Sequence, residues 1–196
     1  MELLFLQNAH WVVSMPAPVE VWLCLNECVL RGVWMDPAPM FELIPYQRFR
    51  DTPAVRFFDV TIADSNARDL VVHAGPAVSP PDDTSGAWQF YLHPHQEDNL
   101  LAVQGGRTFY LVNFQWNYPF HMVRLEAGGD ILRIPPGTFH RSVSDEEGSV
   151  VMNQAVREPM ACVQREFRVY SSGKIPKLMA ITANTAPLPK LHGVPW

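Results

Sequence analysis

The stretch GDILRIPPGTFH, residues 129–140, decides how the rest of the chain is read. A Gly-Asp turn enters a short apolar strand, ILRI. Pro135 to Gly137 then makes a tight bend, because proline fixes φ and offers no N–H to a ladder, and His140 opens the next strand. Upstream runs FYLHPHQEDNLLAVQGG, residues 90–106, in which His93 and His95 stand two apart ahead of carboxylates, an amide and paired glycines. Residues two apart on a strand share a face. Tyr91, His93 and His95 are therefore expected to point one way, as are His140, Ser142 and Ser144 on the later strand.

The flanking sequence fits this pattern of short strands. Eighteen prolines and eleven glycines in 196 residues leave few windows long enough for a helix. Between the breaks lie runs rich in β-branched and aromatic residues, at 55–62, 69–74, 88–93, 99–104, 107–114, 131–134, 140–144, 149–156 and 162–170. Several alternate, as Val163, Arg165, Phe167 and Val169 do against their neighbours. The period of two predicts an all-β, antiparallel sandwich or barrel. SDEEGS (144–149) reads as a solvated hairpin turn.

Composition narrows the function. Hydrophobic residues make up 47% and charged residues 18%, as in a globular domain, and 15 basic against 20 acidic residues leave a formal charge of −5. With no basic block, a nucleic-acid partner is not expected. No apolar run is long enough to span a bilayer, and the start lacks a secretory pattern, so the expected location is cytoplasmic, without a membrane partner. Cys24, Cys28 and Cys162 are three in number, and no disulfide framework is expected.

Gly, five residues, Pro-x-Gly, two residues, His, preceded by His-x-His and a glycine-closed hairpin, resembles the paired motifs of the cupin superfamily. The likeness is to the small, single-domain, RmlC-like cupins, with the first motif degenerate. It covers about 85–157, and Ser144 stands where the second motif ends in asparagine. The resemblance implies an antiparallel jelly-roll barrel with both motifs on adjacent strands and inward histidines, so that His93, His95 and His140 converge on one metal ion. For the fourth ligand, motif spacing favours Asn99 and ligand chemistry favours Asp98, an anionic oxygen being the better donor.

Such a site leaves open positions for a substrate with neighbouring oxygens. The leading expectation is a metal-dependent cupin enzyme, with Fe(II) or else Zn, Mn or Ni, acting on a small oxygenated metabolite as a dioxygenase, or as an isomerase or decarboxylase. An interior lined from Phe109, Leu111, Leu101 and Val103 would suit an aromatic substrate. Tyr91 and Glu97 are the candidate catalytic groups, and Gln104, Asn153 and Arg107 the candidate substrate-binding groups. The alternative is a metal-independent sugar-nucleotide epimerase or isomerase of the dTDP-4-dehydrorhamnose 3,5-epimerase type, although the lysine of that branch is replaced here by Asn99. A second alternative is a non-catalytic small-molecule-binding cupin.

The expected organisation is an N-terminal extension over 1–50, containing a helix or hairpin, a barrel over 51–172 and a tail over 173–196. His121 is expected in a surface connection and His73 in the core. A homodimer joined through edge strands is the expected assembly.

Overall fold

A computed structural model describes residues 2–6, 10–15, 38–160 and 166–184. The helix or hairpin expected around 19–35 and the three cysteines lie outside the described residues. The elements are β1 (Glu2–Leu6), β2 (His10–Met15), β3 (Glu42–Ile44), β4 (Gln47–Asp51), β5 (Arg56–Asp59), β6 (Ala67–His73), β7 (Val78–Ser79), β8 (Gln89–Leu92), β9 (Gln96–Val112), β10 (Phe120–Glu126), β11 (Ile131–Ile134), β12 (Phe139–Arg157), β13 (Arg168–Ser171), a 3₁₀ turn at Ser172–Lys174 and α1 (Pro176–Asn184).

All the pairings are antiparallel, and the fold is a cupin-type jelly roll. Two long strands carry it. β9 and β12 lie side by side, from Phe139 opposite Val112 to Arg157 opposite Gln96. The 106–112 half of β9 takes β10 as its second neighbour, and the 98–100 region takes β11. The halves turn their inner faces toward each other: Leu100 and Ala102 from one share a core with Phe109 and Leu111 from the other, together with Val123, Leu125, Leu132 and Val151. A second cluster on the outer face, built on Phe90, Val112, Phe120 and Met122, is covered by Leu178 and Ile181 of α1.

Two expected breaks are absent. The glycine pair does not close a hairpin, and SDEEGS makes no turn, since β9 and β12 both run through. The register instead slips between the Ser144–Arg107 and Ser149–Gly105 pairs. Glycines permit the slip: Gly105 and Gly148 have φ of +66° and +82°, and a Cβ on Gly105 would lie 2.3 Å from the Gly148 carbonyl oxygen.

β10 was not anticipated. Phe120 and Met122 enter the outer cluster while Val123 and Leu125 enter the inner one, so both faces are apolar and no alternation marks the strand. His121, expected in a surface connection, lies on β10 and is 2% exposed. Among the described residues, no helix is long and apolar enough to cross a membrane.

Candidate active site

β8 ends at Leu92, and Pro94 forces a bend before β9 begins at Gln96. The bend breaks the expected period of two. His93 turns into the barrel and is 7% exposed, whereas His95 turns out, its side chain 49% exposed and its Nδ1 3.1 Å from Glu158 Oε2. The convergence of three histidines is therefore corrected to two. Regular alternation resumes along β9: Gln96, Asp98 and Leu100 line a cavity of about 310 Å³, and Asn99 faces away. Asn99 Nδ2 donates to Glu97 Oε1 and to the Gln154 carbonyl, both at 3.0 Å.

The second motif supplies the other wall. In the Pro-x-Gly bend, Gly137 has φ +77° and its N–H donates to the His93 carbonyl at 2.8 Å, so the turn of one motif fixes the backbone of the other. His140 follows on β12 opposite Leu111 and is 8% exposed.

Asp98 joins the two imidazoles. Its Oδ1 accepts from Gln96 Nε2 at 2.6 Å and Asn153 Nδ2 at 2.8 Å, while its Oδ2 stands 3.4 Å from His93 Nε2 and 3.7 Å from His140 Nε2. Nδ1 of His93 donates to the Glu166 carbonyl and Nδ1 of His140 to the Thr138 carbonyl. Since a carbonyl only accepts, each Nδ1 carries the proton in the neutral ring and each Nε2 presents a lone pair. Burial pushes His140 down to about 4, against the opposing pull of Asp98. At neutral pH its Nε2 is a free base.

Tyr91 lies beside them, its ring parallel to His93 within 8° at 6.4 Å between centroids, and 5.9 Å from His140. Its hydroxyl is 3.4 Å from Ser79 Oγ, and both residues line the cavity. Asn153 and Arg107 line it as well.

The remaining candidates lie elsewhere. Glu97 is engaged with Asn99 and, at 3.3 Å, with Arg133; Gln104 is exposed. Of the expected apolar lining, Val103 is 49% exposed because the register shifts beside it. The lining combines apolar side chains, Val71, Leu100, Phe109 and Val151, with the polar groups of the histidine cluster. Ser142 and Phe167 also line the cavity and were not singled out in the sequence; the parity of His140 pointed to Ser142.

Among the described residues, the set that could hold a metal ion is His93, Asp98 and His140, whose ligand atoms lie within 4.8 Å of one another. A divalent ion would find three donors there and no fourth from His95 or Asn99. An acid–base cluster uses the same atoms, with a proton in the place of the ion.

The strand pairing and the cavity within it give the chain an RmlC-like cupin fold. A dTDP-sugar isomerase from Desulfovibrio desulfuricans superposes with a TM-score of 0.51 at 14% identity, over 72% of this chain and 90% of that chain. QdtA, a sugar 3,4-ketoisomerase from Thermoanaerobacterium thermosaccharolyticum in complex with TDP, gives 0.49 at 12% identity over 65% and 86%. The rmlC epimerase of Mycobacterium tuberculosis gives 0.48 at 14% identity over 91% and 76%. No protein-family model matches the chain, and no curated protein does.

These findings correct the leading expectation of a metal-dependent enzyme acting on a chelated metabolite. The structure that superposes above 0.5 is a dTDP-sugar isomerase, and the third histidine of the expected metal site faces solvent. The dioxygenase and decarboxylase readings fall with it.

Proposed function

We propose that this chain is a metal-independent isomerase or epimerase of a keto sugar, working by proton transfer next to the carbonyl. The carrying observation is the convergence of His93 and His140 on Asp98 Oδ2, beside Tyr91, in the cavity of the barrel. A volume of about 310 Å³ suits one sugar ring. The dTDP-sugar isomerase of the same fold supports the substrate class.

The neutral Nε2 of His140 is placed to take the proton from the carbon adjacent to the ketone while Tyr91 gives its phenolic proton to the carbonyl oxygen, leaving an enediol. Asp98 stabilises the imidazolium so formed, and His93 shares that charge through the same carboxylate oxygen. A proton delivered from water to the opposite face, with the enol proton returning to Tyr91 and His140 releasing its own to water, inverts the carbon. Return of a proton to the former carbonyl carbon, with the neighbouring hydroxyl losing its proton, moves the ketone by one position. Neither outcome needs an oxidant or a reductant.

The test follows solvent deuterium entering a panel of 4-keto sugar nucleotides by proton NMR and mass spectrometry. Exchange next to the ketone is expected, reduced at least about 100-fold in His140→Asn and also lowered in Tyr91→Phe. Absence of exchange across the panel, or undiminished exchange in His140→Asn, would overturn the proposal.

A further inference from the structure

We propose that Arg107 anchors an oxyanion of the substrate, a carboxylate or a phosphate, within the cavity that holds His93, Asp98 and His140. The inference rests on the reading of that cavity as a substrate site. It adds that the substrate is an acid there, not a neutral sugar.

Arg107 belongs to the inner face of β9, where it and Phe109 line the cavity, and it is 2% exposed. Its partners are all neutral. Nε donates to Ser149 Oγ at 2.9 Å, and Nη2 donates to the carbonyls of Val71 and Ser149, both at 3.3 Å. Nη1 has no hydrogen-bond partner among the described residues. These bonds fix the plane of the guanidinium and leave one NH₂ group to give.

The other arginines of this part of the barrel are answered differently. Arg124 faces Asp145 and Glu126, Arg133 faces Glu42 and Glu97, Arg141 faces Asp82, and Arg157 faces Asp69. Arg107, among the most buried of them, pairs with no carboxylate among the described residues. Asp69 also lines the cavity, but its carboxylate lies 3.5 Å from Arg157. The nearby His73 is held toward its neutral form by burial and by Arg107 itself, so it adds no second positive charge.

A desolvated charge without a counterion is costly in the folded chain. Burial lowers the Arg107 guanidinium to about 10, which still leaves it charged at neutral pH. No carboxylate faces it among the described residues, and a ligand oxyanion would supply that counterion through a charge-assisted hydrogen bond. The position also sets the substrate's layout. Arg107 pairs with Ser144, and His140 pairs with Leu111, four residues further along both strands. At about 3.3 Å per residue this is roughly 13 Å between backbone positions, so the acid group and the reacting carbon belong to opposite ends of one molecule.

The test is ligand-induced thermal stabilisation and calorimetric binding at pH 7.5, with D-glucuronate, inorganic phosphate and neutral D-glucose as probes. Wild type is expected to respond to at least one anion and not to glucose, and the responding arm identifies the oxyanion as carboxylate or phosphate. Arg107→Met is expected to weaken that response at least tenfold, while the free variant melts at or above the wild-type temperature because an unpaired charge has been removed. If the methionine variant does not fold, Arg107→Gln gives the same readout with a hydrogen bond to Ser149 retained. An anion response no greater than that to glucose, or an undiminished response in the folded variant, overturns the proposal. Since the readout is binding, its failure leaves deuterium exchange untouched. Loss of exchange across the sugar panel would likewise leave a positive anion response standing.

Discussion

The state of His140 can be tested without knowing the substrate. In the free protein the imidazole is expected to stay neutral, with its proton on Nδ1, until the pH falls to about 4. Burial is the largest cause, and Asp98 acts against it. The gap from the ordinary 6.5 corresponds to about 3 kcal/mol. Because the folded value lies below the unfolded one, the residue costs the fold nothing above pH 6.5. As the pH falls toward 4 the unfolded chain gains a proton that the folded chain refuses, and stability drops.

The informative perturbation is Asp98→Asn, which keeps the shape of the side chain and removes its charge. At 3.7 Å, with an effective dielectric constant of about 20, the lost attraction to a protonated His140 is roughly 4 kcal/mol. The variant should therefore depress His140 further, by one pH unit or more. The assay is a long-range proton–nitrogen NMR titration of the imidazole in wild type and variant. A wild-type midpoint near 6.5, an Nε2-protonated neutral tautomer, or a midpoint that rises in the variant would refute the assignment of His140 as a buried free base.

Further outcomes can be measured on the same protein. Exhaustive chelation should leave both melting temperature and sugar exchange unchanged, and a loss of exchange restored by one divalent ion would show that His93, Asp98 and His140 act as ligands. Gly105→Ala, whose Cβ would meet the Gly148 carbonyl at 2.3 Å, should cost about 3 kcal/mol or more in chemical denaturation. Gly137→Ala has open space and should cost only about 1 kcal/mol; equal losses would discount the close approach of β9 and β12. His121→Phe removes a hydrogen bond to the Tyr118 carbonyl, worth about 1 kcal/mol at pH 7.5. It also removes a histidine that burial holds at about 4. At pH 4.5 the variant should therefore be the more stable protein, and denaturation curves that fail to cross would contradict this.

The barrel was legible because glycine, proline and alternation speak about local backbone, and β8, β11 and much of β12 fall where their runs predicted. Legibility failed where burial is two-sided or where a strand continues through glycine. β10 lost its alternation because Phe120 and Met122 pack outward while Val123 and Leu125 pack inward. The paired glycines read as a hairpin because a sequence cannot distinguish a turn from a register slip; the difference lies in Gly148, 43 residues away, whose carbonyl occupies the space beside Gly105. The arginine partners were equally hidden. Arg133 meets Glu42 across 91 positions and Arg107 meets no carboxylate among the described residues, neither of which spacing can convey.

The candidate site turns on one local event that sequence periodicity misjudged. Alternation would have sent His93 and His95 to the same side, but it holds only while the ladder continues, and Pro94 cannot donate to a ladder. Once the strand breaks there, the two imidazoles are free to diverge, and surrounding contacts choose their directions. Gly137 N–H holds the His93 carbonyl and the Glu166 backbone holds its Nδ1, while the Glu166 carboxylate accepts from the His95 N–H. The break also resets the phase of β9, so the residue that faces the histidines is Asp98 and not Asn99. A regular strand would have given two neighbouring imidazoles and an amide, a set with no anion to stabilise an imidazolium. The bend gives one imidazole from each motif with a carboxylate oxygen between them, and that arrangement can take a proton from carbon and hold it.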